Sequence, residues 1–179
     1  MQVGGAEQVY PELQLGSPQA VSIPTSSDSV GVGGGSEVGH THTGAADPRN
    51  VVMFRRSLDA WLEQYLELDD NRVADIVLAA DEALSNCADH AYRIVDSVGS
   101  MTLQIAYDIA VNELKVSVSD NGRWTEPQSV AANAARGRGI LLMRALADDC
   151  TIDGRHDGTT VCLRFYGCRP NSCALIHAS

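Results

Sequence analysis

Apolar residues along this chain change their spacing three times after residue 50. Val51, Phe54, Leu58, Trp61, Leu62, Tyr65 and Leu66 recur at helical intervals, which predicts a helix over 51–68. Asp47 or the preceding Ala46 leads into it, and Pro48 sits in the first turn, where its missing N–H costs nothing. Asp69 and Asp70 offer N-caps for a second helix reaching about Tyr92. Its apolar stripe is Val73, Ile76, Val77, Ala80, Leu84, Cys87 and Ala91. The period then drops to two. Leu103, Ile105 and Tyr107 alternate with Thr102, Gln104 and Ala106, and Leu114, Val116 and Val118 alternate with Lys115, Ser117 and Ser119. Asn112 lies between these runs, so the pair reads as a hairpin. After a Gly- and Ala-rich connection, 139–147 reads as a helix. Strands over 150–153 and 159–165 follow, joined by a turn over 154–158. This order predicts an α+β fold, a two-layer sandwich with helices on one face of a mainly antiparallel sheet.

Composition sets the limits of that domain. Residues 1–49 are rich in Gly, Ser, Thr and Pro, including Gly31-Val32-Gly33-Gly34-Gly35-Ser36, and bury too little apolar surface to offset chain entropy. The expected layout is a disordered tail over 1–47, a domain over 48–167 and a patternless C-terminal tail over 168–179. One apolar patch, Ala20-Val21-Ser22-Ile23-Pro24, could add an edge strand to the sheet. His40-Thr41-His42 hints at metal binding, although two histidines in a glycine-rich stretch read more simply as tail. The five cysteines contain no CxxC pair and read as reduced thiols rather than a disulfide framework or zinc site, with a Cys168–Cys173 pair the one bridge to consider.

Charge excludes further classes. A net charge of −10 argues against direct nucleic-acid binding, which needs a basic footprint. Lys115 is the only lysine among 13 basic residues, so a phosphate site here is not built around a lysine loop. No window is long and apolar enough for a bilayer, and the N-terminus lacks a secretory pattern, so a cytoplasmic location and no membrane partner are expected.

Three short constellations carry candidate chemistry. Glu82 and Asn86 are four residues apart and share a helix face with Asp75, Asp89 and Arg93, opposite Leu84. That face is either solvated or an acid able to take a proton beside an amide oxygen able to bind Mg²⁺. Asp120-Asn121-Gly122 ends a strand; it is either a turn or a place where a flat base meets the backbone and an exocyclic amine meets Asp120. Arg136-Gly137-Arg138-Gly139-Ile140 runs into a helix, as a simple junction or as an anion cradle of open N–H groups. The P-loop pattern is absent, no strand precedes the glycines as a Rossmann fingerprint needs, and the eukaryotic-type protein-kinase motifs are missing.

Taken in order, these pieces resemble the motifs of the GHKL ATPase fold. Glu82-Ala83-Leu84-Ser85-Asn86 with Asp89-His90-Ala91-Tyr92 resembles the N-box. Asp120-Asn121-Gly122-Arg123-Trp124 resembles the adenine box, with tryptophan where glycine is commoner. Arg136 to Met143 resembles the G-x-G box, and Gly158-Thr159-Thr160 the closing G-T element. The likeness covers residues 49–165. It is nearest to the small anti-sigma-factor serine/threonine kinases of the general-stress and sporulation type, in particular the actinobacterial regulators. The short segment between Asp120 and Gly137 implies a reduced ATP lid.

The resemblance implies the cofactors ATP and Mg²⁺ and a set of roles. Asn86 would bind the metal, and Glu82 would be the catalytic base for an attacking serine hydroxyl. Asp120 would hold the adenine amine with Gly122 beneath the ring. Gly137 and Gly139 would present N–H groups to phosphates, and Thr159 would support adenine. The implied partners are a STAS-type anti-anti-sigma protein as acceptor, a sigma factor, and a second copy in a homodimer. A non-catalytic ATP-dependent binding switch and a slow ATPase are the alternative activities.

Overall fold

A computed structural model describes residues 37–91, 99–122 and 136–177. The first helix, α1 (Pro48–Tyr65), begins where Asp47 accepts the Asn50 N–H at 2.9 Å, with Pro48 inside the first turn. Val51, Phe54, Leu58, Trp61 and Leu62 are its buried stripe, as the spacing requires. The second, α2 (Asp70–Ala91), starts the same way, with Asp69 accepting the Arg72 N–H at 2.9 Å. Its inward face holds Ile76, Ala79, Ala80, Ala83, Leu84, Cys87 and Ala88, all buried. Four alanines on that face let the helix lie close to the strands beneath it.

Those strands are β1 (Glu37–Ala45), β3 (Ser100–Asp108), β4 (Glu113–Asp120), β5 (Asp149–Arg155) and β6 (Gly158–Tyr166). They form one antiparallel sheet in the order β1-β3-β4-β6-β5. Asn112 turns the β3–β4 connection at φ 54°, a left-handed conformation that asparagine tolerates well. The register stacks the apolar positions into rungs across the sheet. Tyr107, Leu114 and Phe165 form one, Ile105, Val116 and Leu163 the next, and Leu103, Val118 and Val161 a third. All nine are buried against α1 and α2. Each such side chain contributes about 1.5–3 kcal/mol by leaving water. The shorter helix α3 (Arg136–Leu146) closes the layer beside α2 through Met143, which is fully buried. The α+β sandwich with an antiparallel sheet therefore stands as expected.

Three boundaries differ from the sequence reading. Order does not begin at Asp47–Pro48: β1 occupies residues placed in the tail, and pairs along its whole length with β3. A strand reading Glu-Val-Gly-His-Thr-His-Thr-Gly-Ala offers little apolar signal, because β3 supplies its backbone partners. His40-Thr41-His42 thus lies in sheet, with His42 stacked on Phe54 of α1 and hydrogen-bonded to Ser57. Residues 1–36, including the patch at 20–24, lie outside the described residues.

The C-terminal residues also have structure. A two-residue strand β2 (Leu66–Glu67) pairs with β7 (Arg169–Pro170), and α4 (Ser172–His177) follows. Tyr107 Oη lies 2.7 Å from Cys168 O, and Asn171 donates through its amide to Gln64 O at 2.7 Å. All five cysteines are free thiols, Cys168 among them and buried. Thirdly, α3 starts three residues before Gly139, so Gly137 and Gly139 belong to the first turns of a helix rather than to a loop ahead of it.

Candidate functional site

Where the three apolar rungs end, the next sets two polar residues beside the buried Met101. Asp120 pairs with Met101 on one side and Thr159 on the other. Asp120 keeps the parity of Leu114, Val116 and Val118, so its carboxylate points into the helix layer. There Oδ1 accepts the Gly122 N–H at 2.7 Å, and Oδ2 accepts from the Cys87 thiol of α2 at 3.5 Å. Thr159, 9% exposed, is the buried polar residue among those described. Asn121 braces the corner, its Oδ1 accepting the Ser100 N–H at 2.8 Å and its own N–H donating to Ser100 O at 3.2 Å. The corner closes so tightly that a Cβ on Gly158 would stand 2.3 Å from Asp120 O. Only glycine allows β6 to begin beside the end of β4.

One turn along α2 from Asn86, about 6 Å by helix geometry, lies Glu82. Both are half-buried rather than fully solvated, because α3 lies across them. A Cβ built on Gly139 would come within 2.7 Å of Glu82 Oε2 and 3.8 Å of Asn86 Nδ2. The G-x-G segment therefore brings backbone into contact with the acid and amide of the N-box. Gly137 lies two residues earlier, in the first turn of α3, where helix N–H groups have no intrahelical acceptor. Asp89, which shares the Glu82 face, is exposed.

The structure thus gathers Glu82, Asn86, Asp120, Gly122, Gly139 and Thr159 along the C-terminal half of α2 and the sheet end beneath it, with Gly137 at the start of α3. Arg123, Trp124 and the connection proposed as a reduced lid lie outside the described residues. Sequence reasoning assigned Cys87 to the core stripe alone. The signal that it does more was its position directly after Asn86 of the Glu82–Asn86 pair. Burial and then the nearby Asp120 charge push the Cys87 thiol far above its usual range, so it remains protonated and able to donate. Among the described residues no group of three or more His, Cys, Asp or Glu could cage a metal, and no helix is long and apolar enough to cross a membrane.

A base needs a flat slot with an acceptor, and phosphates need close backbone approach. The close backbone at Gly139, the acceptor at Asp120 and the buried hydroxyl at Thr159 are groups of the kinds a nucleotide site uses. Comparison with known proteins agrees. Residues 44–165 match the histidine kinase-like ATPase domain. Among solved structures, the chain is similar to the crystal structure of the RsbU and RsbW domains of Rv1364c from Mycobacterium tuberculosis, at 26% identity and a TM-score of 0.58. That match covers 74% of this chain and 33% of the other, so this chain spans about a third of that protein. With the fold, the order of its motifs and a family match over most of its length in agreement, the chain belongs to the histidine kinase-like ATPase family.

Proposed function

We propose that this chain is an ATP-dependent serine/threonine protein kinase of the anti-sigma-factor type, which phosphorylates a STAS-type anti-anti-sigma protein and sequesters a sigma factor. The observation that carries the reading is the contact between Gly139 and the Glu82–Asn86 pair. It sets an acid, an amide and a helix start at one point, with an amine acceptor, Asp120, at the end of β4 against α2.

When bound, Mg-ATP supplies the γ-phosphoryl group that is transferred. Asn86 would hold the metal through its amide oxygen, and Mg²⁺ needs few protein ligands when substrate phosphates share the site. Asp120 would accept the adenine amine with Gly122 beneath the ring, and Thr159 would support adenine binding. Gly137 and Gly139 offer N–H groups to phosphate oxygens. Glu82 would take the proton from the serine or threonine hydroxyl that accepts the phosphoryl group, with ADP as the leaving group. Phosphoryl transfer asks mainly for positioning and charge neutralisation, which this set provides. The resemblance further supports a cytoplasmic homodimer.

Calorimetric titration with ATP, with and without Mg²⁺, is the direct test, and saturable Mg²⁺-dependent binding is expected. Asp120→Ala should abolish nucleotide binding; unaltered affinity would remove the adenine assignment. Glu82→Ala should keep ATP affinity and lose about 10²–10⁴-fold in transfer, the range for a general base. Retained transfer by that variant would remove Glu82 as the base. ATP binding with no phosphorylated partner would leave a binding switch as the function.

A further inference from the structure

The inward face of α2 is mostly alanine where it approaches the sheet: Ala79, Ala80, Ala83 and Ala88 are all buried. Cys87 interrupts this series, at 4% exposure, where the helix lies against Asp120. The thiol adds a donor, and that donor is aimed at Asp120 Oδ2 at 3.5 Å.

Asp120 has two carboxylate oxygens and one soft torsion about which they exchange. The Gly122 N–H holds Oδ1 at 2.7 Å. That contact comes from the turn following Asp120, so alone it fixes the carboxylate only relative to its own strand. The Cys87 contact comes from α2, the element that also carries Glu82 and Asn86. Together they set the plane of the carboxylate relative to the helix, with one protein donor on each oxygen and lone pairs left for a ligand donor.

We propose that Cys87 is a positioning residue for Asp120, whose S–H donation orients the carboxylate to accept the 6-amino group of a purine nucleotide and so sharpens selection of 6-amino over 6-oxo purines. This rests on the nucleotide reading of the site. Cys87 itself need not touch the ligand.

The test compares ATP with inosine triphosphate, which carries oxygen in place of the 6-amino group, by competition titration against wild type, Cys87→Ala, Cys87→Ser and Asp120→Ala. Loss of one modest hydrogen bond should weaken ATP binding by Cys87→Ala about three- to ten-fold. Inosine triphosphate should change by less than about two-fold, since it brings no amine to the carboxylate. Cys87→Ser, which restores a donor, should recover most of the ATP affinity. If Cys87→Ala does not fold, Cys87→Val keeps the bulk without the donor and carries the same expectation. Equal weakening of both nucleotides, or no weakening of either, overturns the proposal and leaves Cys87 as packing. Asp120→Ala separates the two levels of the argument. If it still binds ATP as wild type does, the nucleotide reading of Asp120 fails. If it loses ATP while Cys87→Ala does not, only the role of Cys87 fails.

Discussion

Gly139 lies in a helix, where alanine would ordinarily be the better residue. Replacing it by alanine removes backbone freedom from the unfolded chain and should raise helix stability by about 0.5–1 kcal/mol. The same substitution would place a Cβ 2.7 Å from Glu82 Oε2, whereas ordinary contact begins at 3.4 Å. The nearest atom is the end of a flexible side chain, so the clash can be relieved by moving the carboxylate about 0.7 Å. The fold therefore loses little, while the group proposed to take the proton is displaced. Displacements approaching 1 Å can cost about 10²-fold in rate. For Gly139→Ala we expect ADP formation from Mg-ATP to fall about 10- to 100-fold. The unfolding midpoint should stay level or rise by about 2–4 °C, and both are measured on the same preparation. Wild-type turnover in this variant would show that the position of Glu82 does not matter to the chemistry. A marked fall in the midpoint would show that the contact cannot be relieved by the side chain.

Gly158→Ala should behave in the opposite way. Its Cβ would meet Asp120 O at 2.3 Å, a backbone atom that no rotamer can move, so a loss of about 1–3 kcal/mol or more is expected in chemical denaturation. Unchanged stability would refute the tight β4–β6 corner. His42 gives a pH prediction. Burial, and then the neighbouring His40, lower its pKa below the ordinary imidazole value of 6.5. A group whose folded pKa is depressed in this way favours the folded state while neutral, so its contribution is present above the unfolded value and lost as pH falls below it. Denaturation midpoints should therefore decline as pH falls through and below 6.5, and His42→Gln should flatten that decline. An unaltered pH profile in the variant would remove His42 as the source.

Much of this protein is legible in local pattern. The stripe from Val51 to Leu62, the caps at Asp47 and Asp69, and the alternation through β3, β4 and β6 each follow from one-dimensional spacing, because burial on one face repeats at the period of the element. The motif residues were legible as types in order: an acid and amide one helical turn apart, an Asp-Asn-Gly strand end, and glycines opening a helix. What pattern cannot reveal is what an element meets across space. β1 is polar and glycine-bearing, and becomes a strand only because β3 presents a complementary edge. The C-terminal residues look patternless because their order depends on single contacts, such as Tyr107 with Cys168 O and Asn171 with Gln64 O. Gly139 and Cys87 make the same point within the site. In sequence one is a helical glycine and the other a core cysteine, and only the packing of α3 and β4 against α2 places them beside Glu82 and Asp120. Sequence determines the elements and the residues available for chemistry; tertiary packing decides which of them touch, because those contacts join segments whose spacing along the chain carries no periodic signal.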